Sequence, residues 1–251
     1  MVTLNLILIS LAAYLLGSFP TAYLVVKRFS GRDIRGIGSG NVGSMNVVRA
    51  LKEKSKKLAA VGFLIVLFID MIKGALAVFL AQKFFLANLI GLILATFFVV
   101  LGHNYSVFLK FTPLEKPVPT SSITGKIRNF LTGFTGGRGA ASLIGIMLYF
   151  DIFSFLIWGF MMVVASIVAQ IVLEKSGLAE KINWKKISEI ISLLGKQMAG
   201  RMAGLIFAPL CLYFYNPQIF LPIVAGTILL LIKNIPRVKG YLKSGGQAPG
   251  D

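Results

Sequence analysis

Two glycine-rich stretches hold the residues best suited to gripping an anion. The first reads Arg32-Asp33-Ile34-Arg35-Gly36-Ile37-Gly38-Ser39-Gly40-Asn41-Val42-Gly43-Ser44-Met45-Asn46-Val47-Val48-Arg49. Its glycines let backbone N–H groups turn towards one point, and Ser39, Asn41 and Asn46 add side-chain donors. Arg35 and Arg49 flank them with fork-shaped cations suited to phosphate. The plain alternative is a solvated basic loop held by anionic lipid headgroups. The second stretch is Thr135-Gly136-Gly137-Arg138-Gly139-Ala140-Ala141-Ser142, directly ahead of an apolar run. Glycines before a helix N-terminus leave N–H groups and the positive end of the helix dipole facing outward. Small residues also serve close helix packing, but Arg138 favours the anion reading, because a charge beside an apolar helix needs a partner.

Three smaller groups follow. Lys233-Asn234-Ile235-Pro236-Arg237 ends the last apolar stretch, where it reads equally as a phosphate contact or as a basic stop signal. His103-Asn104 ends another, the usual place of a hydrogen-bonded interfacial histidine. Asp70 and Lys73 stand three apart on one helix face, so each can neutralise the other. Cys211 and His103 are the chain's single cysteine and single histidine, which excludes a disulfide framework and a histidine-rich metal site. With no serine–histidine–acid set either, the chemistry falls largely to the substrates.

The elements that position these residues are apolar helices. The chain has 251 residues, 56% of them hydrophobic and 14% charged, with a mean hydropathy of +0.82. A soluble domain carries about 25% charged residues, so the membrane is the solvent. The 26 Lys+Arg against 9 Asp+Glu (net +17) indicate cytoplasmic loops and anionic lipid rather than nucleic acid. Residues 1–26 lack any charge and lack the basic start and cleavage site of a signal peptide, so they read as a retained span. Further spans read at 58–82 and 84–109, with a short helix at 139–150. The long apolar stretches 140–173 and 198–232 read as hairpins turning at Asp151 and at Asn216-Pro217. The basic stretches 27–57, 110–138, 174–197 and 233–251 hold 23 of the 26 Lys+Arg. They share one face only if the chain crosses seven times. The expected fold is therefore an all-α polytopic membrane protein of about seven transmembrane helices, some short. Its N-terminus lies outside, its C-terminus in the cytoplasm, and residues 1–251 form a single integral-membrane domain.

With these elements in place the sequence resembles the bacterial acyl-phosphate:glycerol-3-phosphate acyltransferases, the PlsY family. Gly38-Ser39-Gly40-Asn41-Val42-Gly43 with Asn46 and Arg49 looks like the family's first motif, and Asp70-x-x-Lys73-Gly74 follows it. Gly102-His103-x-x-x-Val107-Phe108-Leu109 and Gly136-Gly137-Arg138-Gly139-Ala140-Ala141-Ser142 look like the two ends of the second, and Asn234-Ile235-x-Arg237 like part of the third. The resemblance implies transfer of an acyl group from acyl phosphate to the 1-hydroxyl of sn-glycerol 3-phosphate. The products are lysophosphatidic acid and phosphate, in the first step of phospholipid biosynthesis. It implies a catalytic set of Ser39, Asn46, Arg49, Arg138 and Asn234. Substrate and phosphate contacts fall to Arg35, Gly38, Gly40, Asn41, Gly43, Gly136, Gly137, Gly139, Ser142, His103 and Arg237. No metal, cofactor or covalent enzyme intermediate is implied. Acyl phosphate, glycerol 3-phosphate and membrane lipid are the expected partners, with room for a soluble acyl-phosphate-making enzyme. The expected location is the bacterial cell (cytoplasmic) membrane, with the site on the cytoplasmic side.

The chain also departs from the family pattern. Arg138 stands where the second motif has lysine, an insertion near 112–134 interrupts that motif, and Met45 replaces a threonine. Lys233 replaces an acidic residue. These departures give weight to a second reading, a catalytically impaired relative that binds lipid or acts as an assembly partner. A small-solute transporter would need more polar residues at mid-bilayer than the spans contain.

Overall fold

A computed structural model of the chain describes residues 2–85, 88–110, 135–177, 181–186 and 198–243, together with 179, 189 and 193. The insertion expected at 112–134 lies outside the described residues. Every regular element among those described is helical, and two compact units divide the chain at Tyr149/Phe150.

In the first unit, α1 (Val2–Ser18) and α2 (Thr21–Ser30) form one apolar run broken at Phe19-Pro20. The sequence reading treats this run as an unbroken span. Pro20 lacks an N–H and holds the residue before it out of the helical region, so the chain steps here. Gly31 ends α2 in the left-handed region at φ 71°. Helix α3 (Ser44–Leu51) sits inside what reads as a polar loop. The loop is ordered because its apolar residues are buried: Ile34, Val42, Val47, Leu51 and Leu109 join Ala22 and Val26 in one core cluster.

Ser55 caps α4 (Lys56–Leu80), and Asn88 caps α5 (Leu89–Asn104) through its Oδ1, 2.9 Å from the Gly91 nitrogen. A short turn of helix, α6 (Val107–Lys110), precedes the undescribed segment. Helices α1 and α5 cross at glycine on both sides: a Cβ at Gly17 would strike the Val99 carbonyl, and one at Gly102 the Tyr14 carbonyl. The short α7 (Ala140–Phe150) meets α4 in the same way, with Gly74 against Ser142 and Gly145 against Met71.

The second unit contains α8 (Ile152–Lys175), α9 (Met198–Tyr215) and α10 (Pro217–Lys243). Asp151 caps α8 by accepting from the Ser154 nitrogen at 2.7 Å. It also accepts from Asn216 Nδ2 at 3.1 Å and from the Tyr215 hydroxyl at 3.4 Å. The two expected turns thus lie at one end of this unit, as the two-hairpin reading requires. Burial raises the Asp151 carboxyl, but its bonds from Ser154, Asn216 and Tyr215 outweigh that and lower it. Among the described residues six helical runs are long and apolar enough to span a membrane, and α7 adds a shorter apolar one, in keeping with the expected seven.

Candidate active site

The first loop and the second glycine stretch meet in the first unit. The Val42 nitrogen donates to the Gly136 carbonyl at 3.2 Å, the Gly137 nitrogen to the His103 carbonyl at 2.9 Å, and the Ser106 nitrogen to the Thr135 carbonyl at 3.1 Å. These backbone bonds sew three segments around a pocket of about 200 Å³, counting space open to solvent. Its walls include Ser18, Thr21, Asp70, His103, Gly136 and Gly137. Gly137 has no room for a side chain, because a Cβ there would fall on the His103 imidazole at Nε2. Gly139 takes φ 76° immediately ahead of α7, with half-buried Arg138 before it.

The first loop is held from within. Asn46 is 1% exposed and donates Nδ2 to the Ile34 and Ile37 carbonyls at 3.2 and 2.9 Å. Gly38 adopts φ 52°, and a Cβ on it would meet Asn46 Oδ1 at 2.6 Å and Arg49 Cδ at 2.9 Å. The Arg49 side chain is therefore laid against the loop, with Nη1 3.4 Å from Ser39 Oγ. Gly40 also has positive φ, and Gly43 caps α3 close to Asn41 Nδ2.

Arg35 behaves differently from its neighbours. Its Nε and Nη2 donate to the Asp33 carboxylate, Nη1 donates to the Leu109 carbonyl at 3.2 Å, and the guanidinium lies 5.6 Å from the Tyr23 ring centre. It ties the loop to α6. Burial raises the Asp33 carboxyl, but the bonds from Arg35 and the charges of Arg35 and Lys27 hold it below the usual carboxylate range.

Behind the pocket lie Asp70 and Lys73, 3% and 5% exposed, joined at 2.6 Å. Lys73 also donates to Thr21 Oγ1 and, at 2.6 Å, to the Phe19 carbonyl at the break in the first span, which accepts from the Thr21 nitrogen as well at 3.0 Å. Thr21, Ser18 and Ser106 are pocket residues that the sequence reading missed. The Phe19-Pro20 break was the available signal. Ser142, in the first turn of α7, is fully buried, and its Oγ has no hydrogen-bond partner among the described residues. Asn234 belongs to the second unit, where it donates to the Leu230 carbonyl at 2.8 Å, and the Arg237 side chain lies outside the described residues. Among the described residues no three His, Cys, Asp or Glu converge as a metal site would need.

Residues 7–121 match the family model for glycerol-3-phosphate acyltransferase. The glycerol-3-phosphate acyltransferase of Clostridioides difficile is 36% identical over 148 residues, which are 57% of this chain and 57% of that protein. The chain thus aligns with little more than half of that curated relative. Crystal structures of the integral membrane glycerol 3-phosphate acyltransferase PlsY, in its glycerol 3-phosphate and lysophosphatidic acid forms, superpose with TM-scores of 0.59 and 0.55. Each is 22% identical and covers 96% of this chain, with 94% and 93% of PlsY covered in turn. Residues 7–121 are thus similar to the glycerol-3-phosphate acyltransferase family, and the chain shares the fold of PlsY.

Proposed function

We propose that the chain transfers an acyl group from acyl phosphate to the 1-hydroxyl of sn-glycerol 3-phosphate. The hydroxyl oxygen forms the new ester, the bond from the acyl carbon to phosphate breaks, and the hydroxyl proton leaves with the phosphate. A mixed anhydride is already activated, so the protein's task is to hold two anions in line and steady the developing charge. The observation that carries this reading is the junction of the two anion-holding segments, with Val42 bonded to Gly136 and Gly137 to His103. The relatives' names, and the glycerol 3-phosphate and lysophosphatidic acid forms of PlsY, support glycerol 3-phosphate as acceptor and lysophosphatidic acid as product.

In this reading Ser39, Asn41, Asn46, Arg49 and His103 contact substrate phosphate or headgroup. Gly136, Gly137, Arg138 and Gly139 offer the second phosphate cradle, and Asn234 and Arg237 are the candidate residues of the third motif. The N-terminus and the turns at Asp151 and Asn216 lie outside, and the site faces the cytoplasm of a bacterial cell. The basic stretches there suit an acidic soluble enzyme delivering acyl phosphate. A relative that binds lipid without turnover is the second reading, favoured by Arg138 in place of lysine.

The deciding experiment supplies the lipid-reconstituted chain with acyl phosphate and labelled glycerol 3-phosphate, without added metal. Labelled lysophosphatidic acid that vanishes in Arg138→Ala is the expected result. No product from folded protein that still binds glycerol 3-phosphate leaves the relative without turnover.

A further inference from the structure

Asp70 and Lys73 would suffice as an intramembrane ion pair, yet a third group stands beside them. Lys73 has three protons and gives them to Asp70, the Phe19 carbonyl and Thr21, so its donors are all used inside the protein. Asp70 faces more than Lys73. Its Oδ1 lies 4.0 Å from His103 Nδ1, at ion-pair rather than hydrogen-bond distance, and both residues line the same pocket. The opposite nitrogen of that imidazole, Nε2, fills the place of a side chain at Gly137. The His103 carbonyl meanwhile receives the Gly137 N–H. His103 therefore contacts the glycine loop through both ring and backbone, with Asp70 behind it.

We propose that Asp70 is a positioning residue for the Gly136–Gly137 loop and acts through the His103 ring. The carboxylate sets the angle of the imidazole, and the imidazole sets where the Gly137 N–H and the cradle beyond it can lie. Neutralising Lys73 is then only half of the task of Asp70. The inference rests on reading that loop as a phosphate cradle, and it adds a residue that acts on the loop through another side chain.

The test is a mutant cycle in the lipid-reconstituted chain. Asp70→Asn with Lys73→Met removes the ion pair as a unit and leaves no unmatched buried charge. The expected result is a folded protein whose glycerol 3-phosphate affinity and kcat/KM each fall at least about tenfold, since small misplacements at a reacting site are costly. His103→Gln is expected to give at least that loss, and the triple variant no more than His103→Gln alone. Wild-type kinetics in the neutral pair, or losses that multiply in the triple variant, overturn the proposal.

If the neutral pair does not fold, Asp70→Glu takes its place. It keeps a charge for Lys73 but shifts the carboxylate relative to His103, and non-additive loss with His103→Gln is again expected. Additive loss overturns the proposal. Affinity for inorganic phosphate is measured alongside. A chain that binds phosphate but makes no lysophosphatidic acid fails the acyltransferase reading while the cycle is still read in phosphate affinity. A chain that binds neither phosphate nor glycerol 3-phosphate overturns both.

Discussion

Asn46 Nδ2 donates to the Ile37 carbonyl at 2.9 Å, while the Oδ1 of the same amide is buried without a hydrogen-bond partner among the described residues. One side chain thus fastens the turn before Gly38 and keeps an acceptor beside it. Asn46→Ala leaves the Ile34 and Ile37 carbonyls without this donor, a loss of about 1–3 kcal/mol for buried groups. The expected outcome is a membrane-inserted protein with a lower unfolding midpoint and no lysophosphatidic acid synthesis. Asn46→Asp, which sets an acceptor against two carbonyls, is expected to be less stable than the alanine variant. Full turnover in Asn46→Ala would take the residue out of the site.

Arg138 stands at the head of α7, where the helix end and a guanidinium both favour an anion. Arg138→Ala is expected to lower kcat/KM by about 10²-fold or more, the scale of losing one charge-stabilising donor. Arg138→Lys keeps the charge without the fork and is expected to raise KM more than it lowers kcat. Steady-state kinetics on both variants separate these outcomes.

Much of this was legible in the residues. The charge distribution marks the spans, Asp151 and Asn216-Pro217 mark their turns, and glycine with arginine marks the two segments that meet and that we propose hold anions. The spacing of Asp70 and Lys73 also announces their pair. Three features were not legible. Helix α3 hides in a stretch dominated by glycine and charge, although Val47 and Leu51 fall on one face and are both buried. The use of Arg35 as a tie to Leu109 depends on a contact 74 residues away. The approach of His103 to Asp70 brings α5 against α4, and neither this contact nor the glycine crossings of α5 with α1 and of α4 with α7 is encoded in local periodicity.

Those crossings can be tested by adding one carbon. A Cβ at Gly74 would strike the Ser142 backbone, which cannot swing aside as a side-chain tip can. Gly74→Ala is expected to destabilise the first unit by about 1–3 kcal/mol, the usual cost of overpacking. Thermal unfolding in detergent reads it as a lower midpoint. An unchanged midpoint would mean that α4 and α7 are not in close contact at this point.

Asp151 offers the opposite pattern, a residue whose loss should show in stability alone. It caps α8 and gathers Asn216 from the neighbouring turn. Asp151→Ala is expected to cost about 0.5–2 kcal/mol, as N-cap losses do, with kcat/KM unchanged. A fall in kcat/KM at an unchanged midpoint would contradict this assignment.

The Asp33–Arg35 tie predicts a direction with pH. Because Arg35 holds the Asp33 carboxyl below its usual value, the folded state binds that proton less readily than the unfolded chain, whose aspartates titrate near about 3.9. The tie's contribution is therefore complete above that unfolded value and is lost as pH falls through the lower folded one. Comparing unfolding midpoints of wild type and Asp33→Asn across this range reads the effect directly. The gap between them should be widest and flat at neutral pH and should close towards acid. A gap that widens on acidification would mean that Asp33 is not stabilised as a carboxylate, and that Arg35 is anchored by the Leu109 carbonyl and the Tyr23 ring instead.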